Sequence, residues 1–229
     1  MKKAIFIQSR LSSSRFPGKM LASLGGITLV EYVYNRCKQS NEADKVMIIT
    51  SIEESDDALY ELCLSRDIPV FRGSLNDVLK RYIDAAEFMN INRVCRVCGD
   101  SPFVDIDAID KLFIEIENSG KLDYISSSNS LNGFMSEVFV MDLLKEVYNY
   151  DLKDEDYEHV TKYIRDNSSD FSTKEIDLQL RPSELEKFTL TIDYEKDLGI
   201  ANKIVEKLDG FDFTSSDVIS ILEKIKDEI

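Results

Sequence analysis

The sequence predicts an α/β fold in which a mostly parallel sheet is covered by helices on both faces. Short apolar runs alternate with longer segments of helical periodicity, and this alternation is typical of parallel strands joined by helices. No internal repeat, coiled-coil heptad or flexible linker interrupts the order. The 229 residues suffice for a sizeable core, so we expect one domain spanning residues 1–229.

The first half of the chain contains the clearest elements. Apolar runs such as VMIIT predict strands at residues 3–8, 45–50, 69–71 and 93–98. Segments with helical spacing of apolar residues predict helices at residues 28–39, 56–66 and 76–89. Sheets of this kind bind ligands at the carboxyl ends of their strands, which makes the loops after the strands candidate sites.

The rhythm changes after Pro102. Helices are predicted at residues 105–118, 142–150, 156–167, 196–208 and 216–228, and strands at residues 123–127 and 188–192. A Ser/Asn-rich loop at residues 126–133 leads into an apolar run at residues 137–141. Residues 123–186 are therefore predicted to be an inserted segment that projects from the sheet.

Composition restricts the partners of the chain. Asp and Glu number 43 against 28 Lys and Arg, a net charge of -15, so the overall field repels nucleic acid and anionic membranes. No apolar run approaches the roughly 20 residues that span a bilayer, and the N-terminal run is too short for a signal peptide. We expect a cytoplasmic protein with neither nucleic acid nor membrane as a partner.

The loop after the first strand is a candidate anion site. It carries three cations and four serines, among them Arg10, Ser13, Ser14, Arg15 and Lys19. Backbone amides, hydroxyls and cations together neutralise phosphate oxygens through charge-assisted hydrogen bonds. The loop matches neither the Walker pattern, because a methionine follows its Gly-Lys pair, nor the Rossmann pattern of three spaced glycines. A basic turn that is merely solvated is the alternative.

Two aspartates are candidate metal ligands. Asp100 follows the predicted strand at residues 93–98, and Asp193 follows the one at residues 188–192. Mg²⁺ commonly takes one or two carboxylates together with substrate phosphates, so this pair could hold one or two metal ions during an in-line displacement. A turn or helix-capping role is the alternative for Asp100.

These motifs resemble those of the sugar cytidylyltransferases. The opening pattern is a strand followed by Ser-Arg, Ser, Arg and Pro-Gly-Lys-Met-Leu. Later marks follow in order along the chain: FRGS at 71–74, NDVL at 76–79, CGDSP at 98–102, EVF at 137–139, EHVT at 158–161 and TIDY at 191–194. The resemblance covers nearly the whole chain and is closest to the SpsF-like subgroup of spore coat polysaccharide biosynthesis.

The resemblance implies a GT-A-like (Rossmann-like) nucleotidyltransferase fold with an inserted arm in the C-terminal half. It also implies an enzyme that uses CTP and Mg²⁺ to convert a sugar acid or related anionic acceptor into its CMP derivative, with release of pyrophosphate. The product would serve cell-surface or spore-coat polysaccharide biosynthesis. The inserted segment would bind the acceptor and form a homodimer.

The resemblance further implies roles for individual residues. Catalysis would rest on Arg10, Lys19 and Asp100, and metal binding on Asp100 and Asp193. The nucleotide would be held by Arg10, Ser13, Ser14, Arg15, Lys19, Arg72, Ser74 and Asp100. The acceptor would meet Asn129, Glu137 and His159. The alternative for Glu137 is a surface charge, and the alternative for His159 is a packing residue. The acceptor's identity stays open, because Met135 and Tyr157 stand where relatives often carry an aspartate and an arginine.

Two other functions are compatible with the sequence. A GT-A glycosyltransferase would use a preformed sugar nucleotide, but the strand at residues 93–98 is not followed by an Asp-x-Asp. A non-catalytic nucleotide-binding protein would need neither Asp100 nor Asp193, and both are present.

Overall fold

A seven-stranded sheet forms the centre of the fold within residues 1–227, which the computed structural model describes. The strands in chain order are β1 (Lys3–Gln8), β2 (Ser23–Leu24), β3 (Ile27–Thr28), β4 (Lys45–Ser51), β5 (Val70–Gly73), β6 (Arg93–Cys98), β7 (Tyr124–Ser130), β8 (Glu137–Val140) and β9 (Thr173–Leu180). The central sheet has the order β5-β4-β1-β6-β8-β7-β9, and β2 pairs with β3 in a small separate sheet.

The central sheet is mostly parallel, which confirms the predicted fold class. β1 pairs in parallel with β4 on one side and with β6 on the other, so that Ile5 lies opposite Val46 and Cys95. β4 is parallel to β5, and β7 is parallel to β9. β8 runs antiparallel to its neighbours β6 and β7. The carboxyl ends of β1 and β6 therefore lie side by side.

Helices cover both faces of the sheet. In chain order they are α1 (Leu29–Cys37), α2 (Asp57–Ser65), α3 (Val78–Met89), α4 (Ile106–Ser119), α5 (Met141–Val147), α6 (Asp154–Glu158), α7 (Lys162–Asp166), α8 (Glu195–Val205) and α9 (Ser215–Ile225). Side chains of α1, α2, α4, α8 and α9 pack with Ile5 and Ile7 on one face, and side chains of α3, α5 and α7 pack with Ala4 and Phe6 on the other. The alternation along β1 follows from the two-residue period of a strand. In the described part of the chain, no helix combines the length and the apolar character needed to cross a membrane.

The sequence does not predict the short strands β2 and β3, and the prediction also differs from the structure at two longer segments. The pattern does not predict β9, because its sequence TKEIDLQL is largely polar, yet Ile176 and Leu180 pack against the core. The predicted strand at residues 188–192 is a loop. Leu190 N–H donates to the Asn132 carbonyl at 2.8 Å and Ile192 N–H donates to the Asp100 carbonyl at 2.9 Å. The loop therefore bonds to two separate segments and forms no ladder with either, and the second bond places Asp193 beside Asp100.

The predicted helix at residues 156–167 is divided into α6 and α7 by a tight turn. Thr161 N–H donates to the His159 carbonyl across Val160, whose φ is 52°. A β-branched residue seldom adopts this left-handed conformation, which is why the helical pattern of the sequence conceals the turn. The predicted helix at residues 216–228 corresponds to α9, and its predicted last residue, Glu228, lies outside the described residues.

The segment at residues 123–186 supplies β7, β8 and β9 to the central sheet itself. Tyr124 and Phe139 from this segment are buried in the core shared with α3. The segment therefore extends the sheet and does not stand away from it as a projecting arm, because the inward faces of its strands are needed to cover apolar side chains.

Candidate active site

The loop after β1 and the turn after β6 enclose a cavity of about 340 Å³. The predicted site residues that line it are Arg10, Ser13, Ser14, Arg15, Lys19, Asp100, His159 and Asp193. The cavity lies at the carboxyl ends of two adjacent parallel strands, where ligands bind in α/β sheets. Folding thus brings together residues from both ends of the chain.

Lys19 lies at the centre of this arrangement. Its Nζ donates to Asp100 Oδ2 at 2.7 Å and to the Ile192 carbonyl at 2.8 Å, and it lies 3.4 Å from Asp193 Oδ1. The Lys19 side chain is only 9% exposed, and a buried ammonium group is stable only with such partners. Lys19 therefore holds the two predicted metal-binding carboxylates near each other.

The two arginines of the loop are also paired with carboxylates. Arg15 Nη2 donates to Asp193 Oδ1 at 2.7 Å, and Arg10 Nη2 donates to Glu158 Oε1 at 3.3 Å. Both arginine side chains are about half exposed, so solvent screens the pairs and each contributes little to stability. These cations can therefore exchange carboxylate partners for phosphate oxygens at small energetic cost.

Gly99 allows the ends of β1 and β6 to approach each other. A Cβ atom at this position would lie 2.2 Å from Ser9 Oγ and 3.2 Å from the Gln8 carbonyl oxygen. A side chain here would push the strand ends apart and move Asp100 relative to Lys19. The Ser9 hydroxyl behind the cavity wall is enclosed and has no hydrogen-bond partner among residues 1–227.

Arg72 and Ser74 lie beside the cavity and do not line it. Arg72 Nε donates to the Ser51 carbonyl at 2.7 Å, and its Nη2 pairs with Asp57 Oδ1 at 2.7 Å. Ser74 Oγ accepts from the backbone N–H of Asp77 at 3.0 Å. These contacts join the ends of β4 and β5 to the starts of α2 and α3, so the structure does not bring these two predicted nucleotide-binding residues into the site.

Arg81 lines the cavity and is not among the predicted site residues. Its Nε donates to the Ser74 carbonyl at 2.8 Å and its Nη2 to the Leu75 carbonyl at 3.1 Å, so it holds this loop against the cavity. Arg81 is buried, and burial lowers the pKa of its guanidinium. An arginine on the apolar face of α3 is the signal that could have identified it, because unpaired arginines are almost never fully buried.

A second cavity of about 460 Å³ adjoins the first and shares Cys98 and Asp100 with it. It lies between the middle of the sheet and α7. The side chains that line it include Arg96, Arg165, Glu175 and several serines. Because the two cavities meet at Asp100, ligands bound in them would lie next to each other.

Glu137 lines the second cavity, but its carboxylate is already occupied. Arg96 Nη1 donates to Oε1 at 2.9 Å, the Tyr124 hydroxyl donates to Oε2 at 2.7 Å, Thr161 Oγ1 lies 2.9 Å from both oxygens, and Arg165 Nη1 lies 3.3 Å from Oε2. A carboxylate offers about four lone pairs, so little capacity remains for a ligand. Burial raises the pKa of Glu137, but Arg96, Tyr124 and Arg165 together lower it by more, so the pKa lies below its ordinary value. This geometry favours a positioning role for Glu137 over direct contact with an acceptor.

The other two predicted acceptor residues lie elsewhere. Asn129 Nδ2 donates to Asp177 Oδ1 at 2.8 Å, which ties β7 to β9 outside both cavities. His159 lines the first cavity beside Glu158. The structure therefore does not bring Asn129, Glu137 and His159 to one place.

Asp100 and Asp193 are the carboxylates best placed for a divalent cation. Both lie within 3.4 Å of the Lys19 ammonium. Among residues 1–227, no group of three or more His, Cys, Asp or Glu side chains could hold a metal ion by itself. Asp100 and Asp193 offer hard oxygen donors, the kind of ligand that Mg²⁺ takes together with water and substrate phosphates.

Comparison with known proteins shows the family of the chain. The model of the cytidylyltransferase family matches residues 4–227. The chain belongs to the cytidylyltransferase family. This membership supports a nucleotidyltransferase activity and confirms the predicted family.

This cytidylyltransferase-family chain is similar in sequence to one named relative and in structure to two solved proteins. It is 31% identical over 227 residues to the spore coat polysaccharide biosynthesis protein SpsF of Bacillus subtilis, covering 96% of this chain and 94% of SpsF. A cytidylyltransferase structure from Leptospira borgpetersenii has a TM-score of 0.92 at 28% identity, covering 99% of this chain and 96% of that chain. The structure of a CMP:2-keto-3-deoxy-manno-octonic acid synthetase complexed with CTP has a TM-score of 0.68 at 14% identity. The likeness covers 91% of this chain and 100% of that chain. The structural likenesses confirm the predicted nucleotidyltransferase fold.

Proposed function

We propose that the protein is a CTP-dependent cytidylyltransferase that activates a sugar acid or related anionic acceptor as its CMP derivative. The observation that carries the proposal is the position of Lys19, whose ammonium joins Asp100 and Asp193 in a cavity that also contains Arg10 and Arg15. Family membership and the similarity to SpsF support a role in cell-surface or spore-coat polysaccharide biosynthesis.

The cations of the first loop would bind the triphosphate. Arg10 and Arg15 hold carboxylates through exposed contacts, and a triphosphate offers them more negative charge than a carboxylate does. The hydroxyls of Ser13 and Ser14, which line the same cavity, would donate further hydrogen bonds. Charge-assisted hydrogen bonds of this kind fix the orientation of phosphates, and correct orientation is a large part of catalysis in phosphoryl transfer.

Asp100 and Asp193 would hold Mg²⁺. When bound, the cation neutralises charge on the phosphoryl oxygens during the displacement. Lys19 orients both carboxylates through its contacts with them and contributes a positive charge to the same part of the cavity.

The second cavity would hold the acceptor. Because it meets the first cavity at Asp100, an acceptor oxygen would lie beside the α-phosphate of a nucleotide in the first cavity. That oxygen would form a bond to the α-phosphorus, the bond from the α-phosphorus to the leaving oxygen would break, pyrophosphate would depart, and the acceptor's proton would pass to water.

We further propose that residues 123–186 form the acceptor side and contribute to a homodimer in the cytoplasm. Supporting the first point, this segment supplies Glu137 and Arg165 to the second cavity. Supporting the second, its aromatic residues Tyr148, Tyr150 and Tyr157 lie near a run of acidic residues at 151–158.

Pyrophosphate release tests the proposed function. The protein is incubated with Mg²⁺ and each nucleoside triphosphate over a panel of sugar acids, aminosugars and phosphorylated sugars. Release that requires both CTP and an acceptor supports the proposal. In a parallel incubation, preformed sugar nucleotides replace the triphosphate, and their consumption without pyrophosphate release supports a glycosyltransferase instead. Nucleotide binding without either reaction supports a non-catalytic protein.

Substitution of Asp100 tests the proposed metal site. Asp100→Asn should lower turnover by about a hundredfold or more. The melting temperature should stay near that of the wild type, because the asparagine keeps an oxygen acceptor for Lys19, which also retains the Ile192 carbonyl and Asp193. Asp107→Asn, an exposed aspartate in the first turn of α4, is the matched control and should keep full activity. Full activity of Asp100→Asn would refute the metal assignment.

A further inference from the structure

We propose that Arg165 binds the acid group of the acceptor and that Glu137 positions Arg165, an inference that rests on the proposed function. Arg165 lies on α7 in the lining of the second cavity, and 44% of its side chain is exposed. Its Nη1 contacts Glu137 Oε2 at 3.3 Å and donates to Thr161 Oγ1 at 2.5 Å. Among residues 1–227, its Nε and Nη2 have no such partner, so the guanidinium retains donors for a planar carboxylate.

The second cavity is lined by two arginines and by three carboxylates, Asp100, Glu137 and Glu175, of which Glu137 is the one that pairs with both arginines. Two arginines, Arg96 and Arg165, share the single negative charge of Glu137. Arg96 is the more enclosed of the two, because its side chain is 16% exposed and its Nε donates to Gln8 Oε1 at 3.2 Å. Arg165 is therefore the arginine of this pair whose guanidinium is open to a ligand in the cavity.

The surroundings of Arg165 suit a ligand that carries hydroxyl groups. The lining of the cavity is rich in short polar side chains: Ser126, Ser127, Ser128, Asn132, Ser136 and Thr191. The hydroxyl of Ser136, a residue that is 4% exposed, has no hydrogen-bond partner in the described part of the chain. Because the Ser136 hydroxyl is enclosed, the hydroxyl groups of a ligand would meet the partly exposed Ser126 and Ser128 and the exposed Asn132. The ligand class indicated is a polyhydroxylated carboxylic acid.

The turn at Val160 brings Arg165 to this place. The left-handed residue redirects the chain between α6 and α7, and the next residue, Thr161, bridges Arg165 and Glu137 through its hydroxyl. Strained backbone persists where the surrounding packing enforces it, and such sites are often functional. Val160 is fully buried, so the packing around it keeps α7 in this orientation.

Calorimetric titration tests the assignment. The probes are 3-deoxy-octulosonate and N-acetylneuraminate as acids and D-glucitol as a neutral polyol, each titrated with Mg²⁺ present, alone and with a non-hydrolysable CTP analogue. Arg165→Gln should weaken binding of at least one acid by about ten- to a hundredfold, because a hydrogen bond to a charged group is lost. Arg165→Lys should retain part of the affinity, since the charge remains without the guanidinium fork.

Three further variants separate recognition from general damage. Glu137→Gln should lower the affinity for the acid and leave the affinity for the CTP analogue unchanged. General damage to the fold would lower both affinities. Glu175→Gln removes a negative charge from the same cavity and should maintain or strengthen acid binding. Arg181→Gln removes a half-exposed arginine outside the cavity and should leave the affinities for the acids and for the CTP analogue unchanged.

The outcomes distinguish this inference from the proposed function. Equal affinity of the acids for the wild type and Arg165→Gln overturns the inference. Failure of the wild type to bind either acid, while it binds the CTP analogue, also overturns the inference but leaves the nucleotide half of the proposed function standing. Failure to bind the CTP analogue with Mg²⁺ contradicts the proposed function itself.

Discussion

Charge pairing determines what each residue of the site can do. Lys19 holds two carboxylates at the edge of a cavity, so its partners can be shared with a ligand. Glu137 is enclosed by donors on all sides, so it orients its neighbours and offers little to a ligand. The sequence identifies both residues as candidates, but it does not show which partner each one has, because the partners lie far away in the chain.

Substitution of Lys19 tests its part in triphosphate binding. Lys19→Met should weaken binding of CTP with Mg²⁺ by about ten- to a hundredfold. The reason is that the cavity proposed for the triphosphate loses a positive charge, and both carboxylates lose the ammonium that orients them. Isothermal titration calorimetry measures the effect, and Lys187→Met, which removes an exposed lysine, is the control. Unchanged affinity in Lys19→Met would exclude a contact between Lys19 and the triphosphate.

Glu137 should make stability depend on pH. Its pKa is lowered in the folded protein, so the ionised carboxylate stabilises the fold above its unfolded pKa, and this contribution is lost as the pH falls through the folded value. Glu137→Gln should lower the free energy of unfolding at neutral pH by about 3 kcal/mol, because two arginines lose their shared partner. The difference from the wild type should narrow below pH 4.5, the ordinary pKa of a glutamate.

Urea unfolding at several pH values measures this difference, with Glu175→Gln as the control. Glu175 is exposed, so its substitution should have little effect on stability at any pH. A difference between wild type and Glu137→Gln that stays constant into the acid range would show that Glu137 is not ionised in the folded protein.

Among the elements, strand ends and turns form the site. The sequence predicts β1 and β6 within their observed bounds because their apolar runs are continuous. It does not predict β9, because an edge strand with one covered face can be largely polar. The prediction of a strand at residues 188–192 is wrong. The apolar side chains of this loop are buried, but its backbone forms no strand pairing. Periodicity reports burial, and burial alone does not specify hydrogen-bond partners.

The turn between α6 and α7 should show its strain in a comparison of two variants. Because L-residues with a side chain are disfavoured at the φ of Val160, Val160→Gly should be more stable than Val160→Ala by about 1 kcal/mol. Val33 is a buried position inside α1. There the order of stability should be reversed, with Val33→Gly less stable than Val33→Ala by about 1 kcal/mol. Thermal or urea unfolding gives both differences, and the same order at both positions would exclude strain at Val160.

The whole molecule is organised around one sheet with two apolar cores. Strands from residues 1–98 and from residues 124–180 contribute to the same sheet, and the core on the α3 face contains side chains from both parts. The segment at residues 123–186 therefore shares its core with the rest of the chain, and the single domain spanning residues 1–229 stays a prediction.

Equilibrium unfolding of the full chain tests this organisation. Far-UV circular dichroism and tyrosine fluorescence should report one transition with the same midpoint, because neither part of the sheet can be exposed without opening a shared core. Two separated transitions would show that residues 123–186 form an independent unit.

Local sequence is sufficient to predict the fold class, the basic loop after β1 and the two aspartates, because these depend on periodicity and on side-chain chemistry. Folding is needed to show that Lys19 joins Asp100 to Asp193, that Arg72 and Ser74 lie outside the cavity, and that Arg81 and Arg165 lie in cavity walls. These facts depend on which strand ends become neighbours and on a left-handed turn at a buried valine. Both follow from packing between segments far apart in the chain, which no local pattern encodes.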